Sequence, residues 1–386
     1  MHLPESLLAL DSLLNSLRNH KTDLLRQLEQ IDPDIAVAER NRARLCSDAM
    51  SVSNLPPELL SYIFLLCQKD HPDFQLIAAQ VCTRWREMAV STRMFWTNIR
   101  ISLWHHTRIQ HALDKMGTYI SRSGPATLFS LRLNVHVESG FTAFLKLVAS
   151  HILRCDRLSV CVREHKKACL LLHEHLKSLW ALHLRYLALH VDNADDGYNR
   201  ITCGTPSFFQ AGAPSINHLK LTGFASGLRP PTSGNITTLH LDGSCMLDLT
   251  VLEYRRVLAA NRCLVNLSLR GLKIVDSSTS TESRPLDLPM LRSLRIHANP
   301  IEQASNKALL NALPLFRLES LILQDITDLY SFEFPNVEDL TLYWCMFPED
   351  QIGHLMLAFP SVVRLMLDSE IRPVYMALSV GGEPPL

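Results

Sequence analysis

Apolar residues recur at steps of three and four from the start of the chain: Leu7, Leu10, Leu14, Leu17, then Lys21, then Leu24, Leu28, Ile31, Ile35 and Ala38. That spacing draws one stripe along a helix. Lys21 takes a core position of this heptad seam. Pro33 either removes a helical hydrogen bond or opens a new helix as its first residue. We therefore expect one helix to about Ile31 and a second from Pro33 to about Cys46. The stripe suits either a hairpin packed on its own chain or self-association through these N-terminal helices.

A second helical region opens at Leu55-Pro56-Pro57-Glu58. Ser53 or Asn54 can cap it, proline is tolerated in a first turn, and Glu58 suits the positive helix end. Leu59, Leu60, Ile63, Phe64 and Cys67 then predict one broad apolar face. A further helix carries Leu76, Ile77, Val81, Trp85 and Met88, and Phe95 and Trp96 complete a three-helix unit. So small a unit leaves apolar surface uncovered and calls for a partner. Ile109, Leu113, Met116 and Ile120 mark one more helix, ending at Ser123-Gly124-Pro125.

From Leu128 the pattern changes to apolar-x-x-Leu-x-apolar, in ten copies running from Leu128/Leu131/Leu133 to Val362/Leu365/Leu367. The central leucines stand 19 to 32 residues apart, mostly within the range of leucine-rich repeats. One such unit cannot bury its leucines alone, whereas stacked strands can. The expected fold is therefore an α/β solenoid with an irregular leucine-rich repeat, preceded by a coiled-coil-like helical segment and a three-helix unit. Helical spacing marks returns at 141–153, 167–179, 252–260, 304–313 and 351–359, with looped-out breaks at 225–235 and 276–289. The position of the usual turn Asn or Cys holds Asn299 and Cys345 in two copies but His136, Asp192, Phe224 or Ile326 elsewhere. The organisation is 1–50 N-terminal helices, 51–100 the three-helix unit, 101–126 a linking helix, 127–370 the solenoid and 371–386 a tail.

Charge adds an exclusion. Lys plus Arg and Asp plus Glu are 38 each, so no whole-chain field draws the protein to nucleic acid or to an anionic membrane. No apolar run reaches bilayer length. Ten scattered cysteines without a Cys-x-x-Cys pair, and no secretory signal, suggest reduced, packed thiols in the cytoplasm or nucleus. The sequons at Asn235 and Asn266 would then carry no sugar.

Catalytic signatures are missing from the sequence: no P-loop, no Gly-x-Gly-x-x-Gly, no Gly-x-Ser-x-Gly, no His-Glu-x-x-His. No cofactor is expected. His165, Cys169 and His173 have helical i, i+4, i+8 spacing, yet a helix with surface histidines explains it without a metal. Cys82 lies near Arg84 and Arg86, which would lower a thiol pKa. Its apolar neighbours Val81, Trp85 and Met88 point instead to a packed thiol. Residues flanking the repeat leucines point away from the core. That face should show Arg132, Arg157, Lys220, His240, Arg270, Arg295, His297, Tyr343 and Arg364, with Asp242, Asp339 and Asp368 among them. Bases outnumber acids there, which suits a mildly acidic or phosphorylated partner.

The segment Leu55 to Trp96 resembles the F-box of cullin-RING ubiquitin ligase receptors. The order of heptad helix, F-box, Ser-Arg-Ser-Gly-Pro and repeats is similar to the large F-box families of mushroom-forming fungi. The resemblance implies a Skp-type adaptor as partner, with Leu55, Pro56, Glu58, Leu59, Ile63, Phe64, Val81, Cys82, Trp85 and Trp96 as adaptor-facing or F-box-core residues. One departure is 68–74, where Lys69, Asp70 and His71 replace a more apolar turn. The function implied is that of a non-catalytic substrate receptor holding an unidentified protein target. The alternative is a leucine-rich scaffold that binds the adaptor and delivers nothing.

Overall fold

The computed structural model describes residues 5–49, 55–104, 108–137, 139–163, 168–192, 208–222, 235–243, 248–275, 285–298, 303–327, 329, 331–345, 347, 353–354 and 357–368. The chain divides into two compact units, Met1–Thr92 and Arg93–Leu386.

In the first unit, α1 (Glu5–Ala49) is one continuous helix with Pro33 inside it. This corrects the expected break at 31–33: a proline removes one hydrogen bond, and the long leucine stripe on both sides continues the same helical phase. Every side chain from Ala9 to Cys46 is exposed. Three short helices follow: α2 (Pro57–Asp70), α3 (Phe74–Val81) and α4 (Thr83–Ser91). Pro57 takes the first helical position of α2, so the cap falls on Pro56, not on the expected Ser53 or Asn54, which lie outside the described residues. The helix expected to run through Leu76, Val81 and Trp85 is two helices. Cys82 between them is extended, at φ −154° and ψ 171°, which ends α3 and re-aims α4. Within 68–74, α2 continues to Asp70 and the turn occupies 71–73.

The second unit opens with a 3-10 turn, Arg93–Trp96, and strand β1 (Asn98–Leu103). Strands β2 (Phe129–Val135), β3 (Cys155–Arg163), β4 (Tyr186–Asp192), β5 (His218–Thr222) and β6 (Thr238–Asp242) come next. β8 (Asn266–Arg270), β10 (Ser293–His297), β11 (Ser320–Gln324), β12 (Asp339–Tyr343) and β13 (Arg364–Leu367) complete an open, eleven-stranded sheet with β1 and β13 at its edges. Every pairing along it is parallel, in chain order. A separate two-stranded sheet joins β7 (Asp248–Thr250) to β9 (Lys273–Val275).

The ten expected strands are all present, and β1 is an eleventh, in a stretch assigned by sequence to the three-helix unit and linking helix. Its alternation Ile99, Ile101, Leu103 is buried like the rest. The register explains the leucine pattern. Leu131, Leu158, Leu187, Leu219, Leu239, Leu267, Leu294, Leu321 and Leu340 form one buried row across neighbouring strands. Two residues on, Leu133 to Leu342 form a second such row, and each leucine thus buries its sides against its equivalents. Between strands run α5 (Ile109–Arg122), α6 (Phe141–His151), α7 (Ala168–Leu176), α8 (Val251–Ala259) and α9 (Gln303–Asn311). The last expected return, 351–359, lies largely outside the described residues.

Two local devices recur along the sheet. Ahead of the strands, Ser215, Asn235, Asn336 and Ser361 each donate a side-chain hydrogen bond to a carbonyl of the preceding turn: those of Leu182, Pro214, Phe316 and Pro335. After the strands, Gly271, Asp325 and Trp344 all have positive φ, of 55°, 57° and 48°. Each sends the next residue, Leu272, Ile326 or Cys345, into the core. At Cys345 the turn position is a buried thiol, bonded to the carbonyls of Leu323 and Tyr343 and raised to about 11 by burial.

Candidate functional site

The first candidate surface lies on the short helices. Leu60 and Phe64, with Gln68 one turn on, are the inner stripe of α2. Phe64 meets the edges of Phe74 and Trp85 at ring-centroid distances of 5.4 and 4.7 Å. Gln68 donates to Gln75 at 3.0 Å, satisfying a buried amide between α2 and α3. Arg84 binds the Leu55 carbonyl and Arg86 the Ala79 carbonyl, fixing the α2 approach and the end of α3.

The face expected as one stripe is therefore two. Leu59, Tyr62, Ile63 and Leu66 form an outer stripe on α2, and Leu76, Ile77 and Val81 are exposed on α3. Pro56 and Glu58 are also exposed, whereas Leu55, Cys82 and Trp85 are half-buried. Tyr62, Leu66 and Ile77 were absent from the sequence-derived set. For Tyr62 and Leu66 the signal available was helical spacing from Leu59 and Ile63, obscured because α2 is apolar nearly all round; for Ile77 it was the step of four to Val81 on α3.

Trp96 belongs elsewhere. It is fully buried in the second unit, edge-on to Tyr119 of α5 at 4.9 Å, with the Arg122 guanidinium 4.4 Å over its ring. Phe64 and Trp96 are thus core residues, 1% and 0% exposed.

The second candidate is the face of the large sheet opposite its leucine rows. Register puts Arg100, Arg132, Ser159, Ala188, Lys220, His240, Ser268, Arg295, Ile322 and Thr341 on its central line. Arg157 and Arg364 lie on the flanking line at one end of the strands, and Arg270, His297 and Tyr343 on the line at the other. All nine expected residues consequently share one face, but their electrostatics differ. Arg270 pairs with Asp242 at 3.9 Å, Arg364 with Asp339, and His297 Nε2 lies 2.9 Å from Asp325. Burial and Arg270 depress the His297 pKa, so that contact is a hydrogen bond from a neutral ring. Tyr343 donates to Met366 Sδ. Arg132, Lys220 and Arg295 make no ion pair among the described residues.

Around these free cations runs a ring ladder. Arg157 lies 5.3 Å from the Tyr186 ring, Tyr186 stacks on His218 at 4.6 Å, and His218 tilts against His240 at 5.2 Å. Burial, then Arg157 and Lys220, lowers the His218 pKa; burial, then His218, Lys220 and Arg295, lowers His240 to about 4. Both rings are therefore neutral at pH 7, and the positive charge sits on the Arg and Lys groups. Tyr186, His218 and Arg100 are additions to the expected set: Arg100 lies on β1, ahead of the ten repeat copies, and Tyr186 and His218 take the flanking position that Arg157 fills on β3.

The residues weighed for chemistry fall outside any such centre. Among the described residues no group of three His, Cys, Asp or Glu is placed to hold a metal ion. His165 and the Cys169 side chain lie outside them, and His173 packs edge-on against Phe208 at 6.4 Å. Among the described residues no helix is long and apolar enough to cross a membrane.

Residues 52–106 match the F-box-like family. The match spans the three short helices, the 3-10 turn and β1, so this part of the chain is an F-box-like domain. Comparison with curated proteins finds no match.

Proposed function

We propose that the protein is the substrate-recognition subunit of an SCF-type cullin-RING ubiquitin ligase, acting in the cytoplasm or nucleus. In this reading the outer surface of α2 and α3 docks on the Skp-type adaptor, and the large sheet is the strand layer of an irregular leucine-rich-repeat solenoid whose polar face holds a protein target. The observation that carries it is the exposed apolar stripe Leu59, Tyr62, Ile63 and Leu66 inside an F-box-like domain. An uncovered patch of that kind marks a partner surface. Leu55, Pro56 and Glu58 lead into it at the start of α2, and Val81 and Cys82 close α3. The chain contributes proximity rather than chemistry, raising the effective concentration of target lysines near the ubiquitin donor.

The target contact is assigned to the central line. Arg132, Lys220 and Arg295 span roughly 30 Å at about 4.8 Å per strand, a length suited to an extended acidic segment. Neutral, half-buried His218 and His240 offer it ring edges and hydrogen bonds.

Co-purification with the adaptor is the test. Leu59→Asp with Ile63→Asp should abolish the complex while the thermal transition of the fold is kept, and Leu55→Ala with Pro56→Ala should weaken it. Retention of the complex in the first variant would overturn the assigned surface. Bound targets should accumulate when the cullin ligase is inhibited; a scaffold that delivers nothing would leave their level unchanged.

A further inference from the structure

We infer that α1 pairs with the same helix of a second copy of this chain, and that the two helices run antiparallel. The inference is independent of the adaptor reading, because it rests on α1 alone. Continuity of α1 through Pro33 extends the three-four spacing without a break. Leu14, Lys21, Leu28, Ile35 and Arg42 take one core position of the heptad; Leu10, Leu17, Leu24, Ile31, Ala38 and Leu45 take the other. Pro33 falls on the side opposite this seam, so its missing hydrogen bond and its ring face away from a partner helix. The large apolar residues of the seam are between 47% and 71% exposed. A repeating apolar seam of this length, wholly uncovered, fits a helix of the same repeat.

Charge decides the orientation. Parallel pairing would put Lys21 against Lys21 and Arg42 against Arg42 in core layers, and Asp34 beside Glu39 of the second copy at the rim. Antiparallel pairing sets each position of one type against the other. With the ends aligned, Lys21 then faces Ile31 of the second copy and Arg42 faces Leu10, so the two core cations never meet their own copies. On the rims Arg18 meets Asp32, His20 meets Asp34 and Leu25 meets Leu25. Against these stands one like-charged rim contact, Asp11 with Glu39. A buried polar residue that fixes the pairing is a known use of such positions.

The test uses the full-length protein. Light scattering at micromolar concentration should give twice the chain mass, and Leu24→Asp with Leu28→Asp should return it to one chain mass with the unfolding of Arg93–Leu386 unchanged. For orientation, chains carrying Lys21→Cys and Ile31→Cys, each with Cys46→Ser, are mixed and mildly oxidised. The mixed disulfide should form in large excess over the Lys21→Cys self-product. A dominant Lys21→Cys self-product means parallel helices and overturns the orientation. A monomeric or trimeric parent, or an unchanged mass for the Asp variant, overturns the pairing itself.

Discussion

Leu59 and Leu60 are neighbours on α2 with opposite surroundings: Leu60 is 1% exposed beneath the short helices and Leu59 is 51% exposed above them. Consecutive helical positions point about 100° apart, so one residue serves the fold and the other is left for contact. Leu60→Ala should destabilise the F-box-like domain by about 2–5 kcal/mol, with a cavity as the cause. Leu59→Ala should change stability by no more than about 0.5 kcal/mol. Denaturant unfolding of the two variants side by side checks the division.

Trp344 should be a site where a smaller residue stabilises. It sits after β12 at φ 48°, the same turn position that Gly271 fills after β8. A left-handed conformation disfavours a side chain by roughly 1–2 kcal/mol, and glycine's greater freedom in the unfolded chain returns part of that. Trp344→Gly is therefore expected to raise stability by about 0.5–1 kcal/mol, and Gly271→Ala to lower it by about 1 kcal/mol. Thermal unfolding of both reads the sign; a destabilised Trp344→Gly would mean that the indole packs more than its exposure suggests.

This turn shows what the sequence could and could not convey. The strands were legible because stacking demands an apolar residue at the same offset in every copy, from Leu131 to Leu365. The turn was not, since Gly271, Asp325 and Trp344 share a backbone angle and no chemistry. Side chains such as Ser215 and Asn336 keep one offset, four residues before the central leucine, but that offset holds Thr127, His183, Cys263 or Met290 in other copies, so its chemistry is not constant enough to read. The short helices were half legible. Leu-Pro-Pro-Glu located α2, but an apolar helix in a small unit hides which side is inward, and only packing separated Ile63 from Phe64. Trp96 follows the same cluster in sequence but packs edge-on against Tyr119 of α5. On the sheet face register places the expected residues together, and pairing of Arg270 with Asp242 and of Arg364 with Asp339 leaves Arg132, Lys220 and Arg295 among the cations without an ion pair among the described residues.

Gly140 supports α6 where a side chain has no room. Its φ is 81°, and an added Cβ would lie 2.5 Å from Ile109 Cγ2. Gly140→Ala should destabilise by about 1–3 kcal/mol, from strain and overpacking together. Ile109→Ala relieves the overlap but not the backbone angle. In a double-mutant cycle the pair should therefore lose less than the sum of the single variants, by more than about 0.5 kcal/mol.

Acid should weaken the sheet through its histidines before its carboxylates titrate. His218, His240 and His297 all have pKa values lowered from 6.5, with burial the largest cause. Below 6.5 the unfolded chain binds protons that these folded rings refuse, so stability is fully present above that pH and falls as pH drops. For His240 the loss runs from 6.5 down to about 4. Asp339 has the same sign in a lower window, because the Arg364 hydrogen bond holds its carboxyl below 3.8; its share is lost only as pH falls further. Midpoint temperatures measured between pH 7 and pH 4.5 should decline, and His240→Asn should flatten that decline. Lys220→Gln should also flatten it, since removing a neighbouring cation lets His240 protonate more readily in the folded state. A steeper profile in Lys220→Gln would show that His240 is not held neutral by the charges beside it.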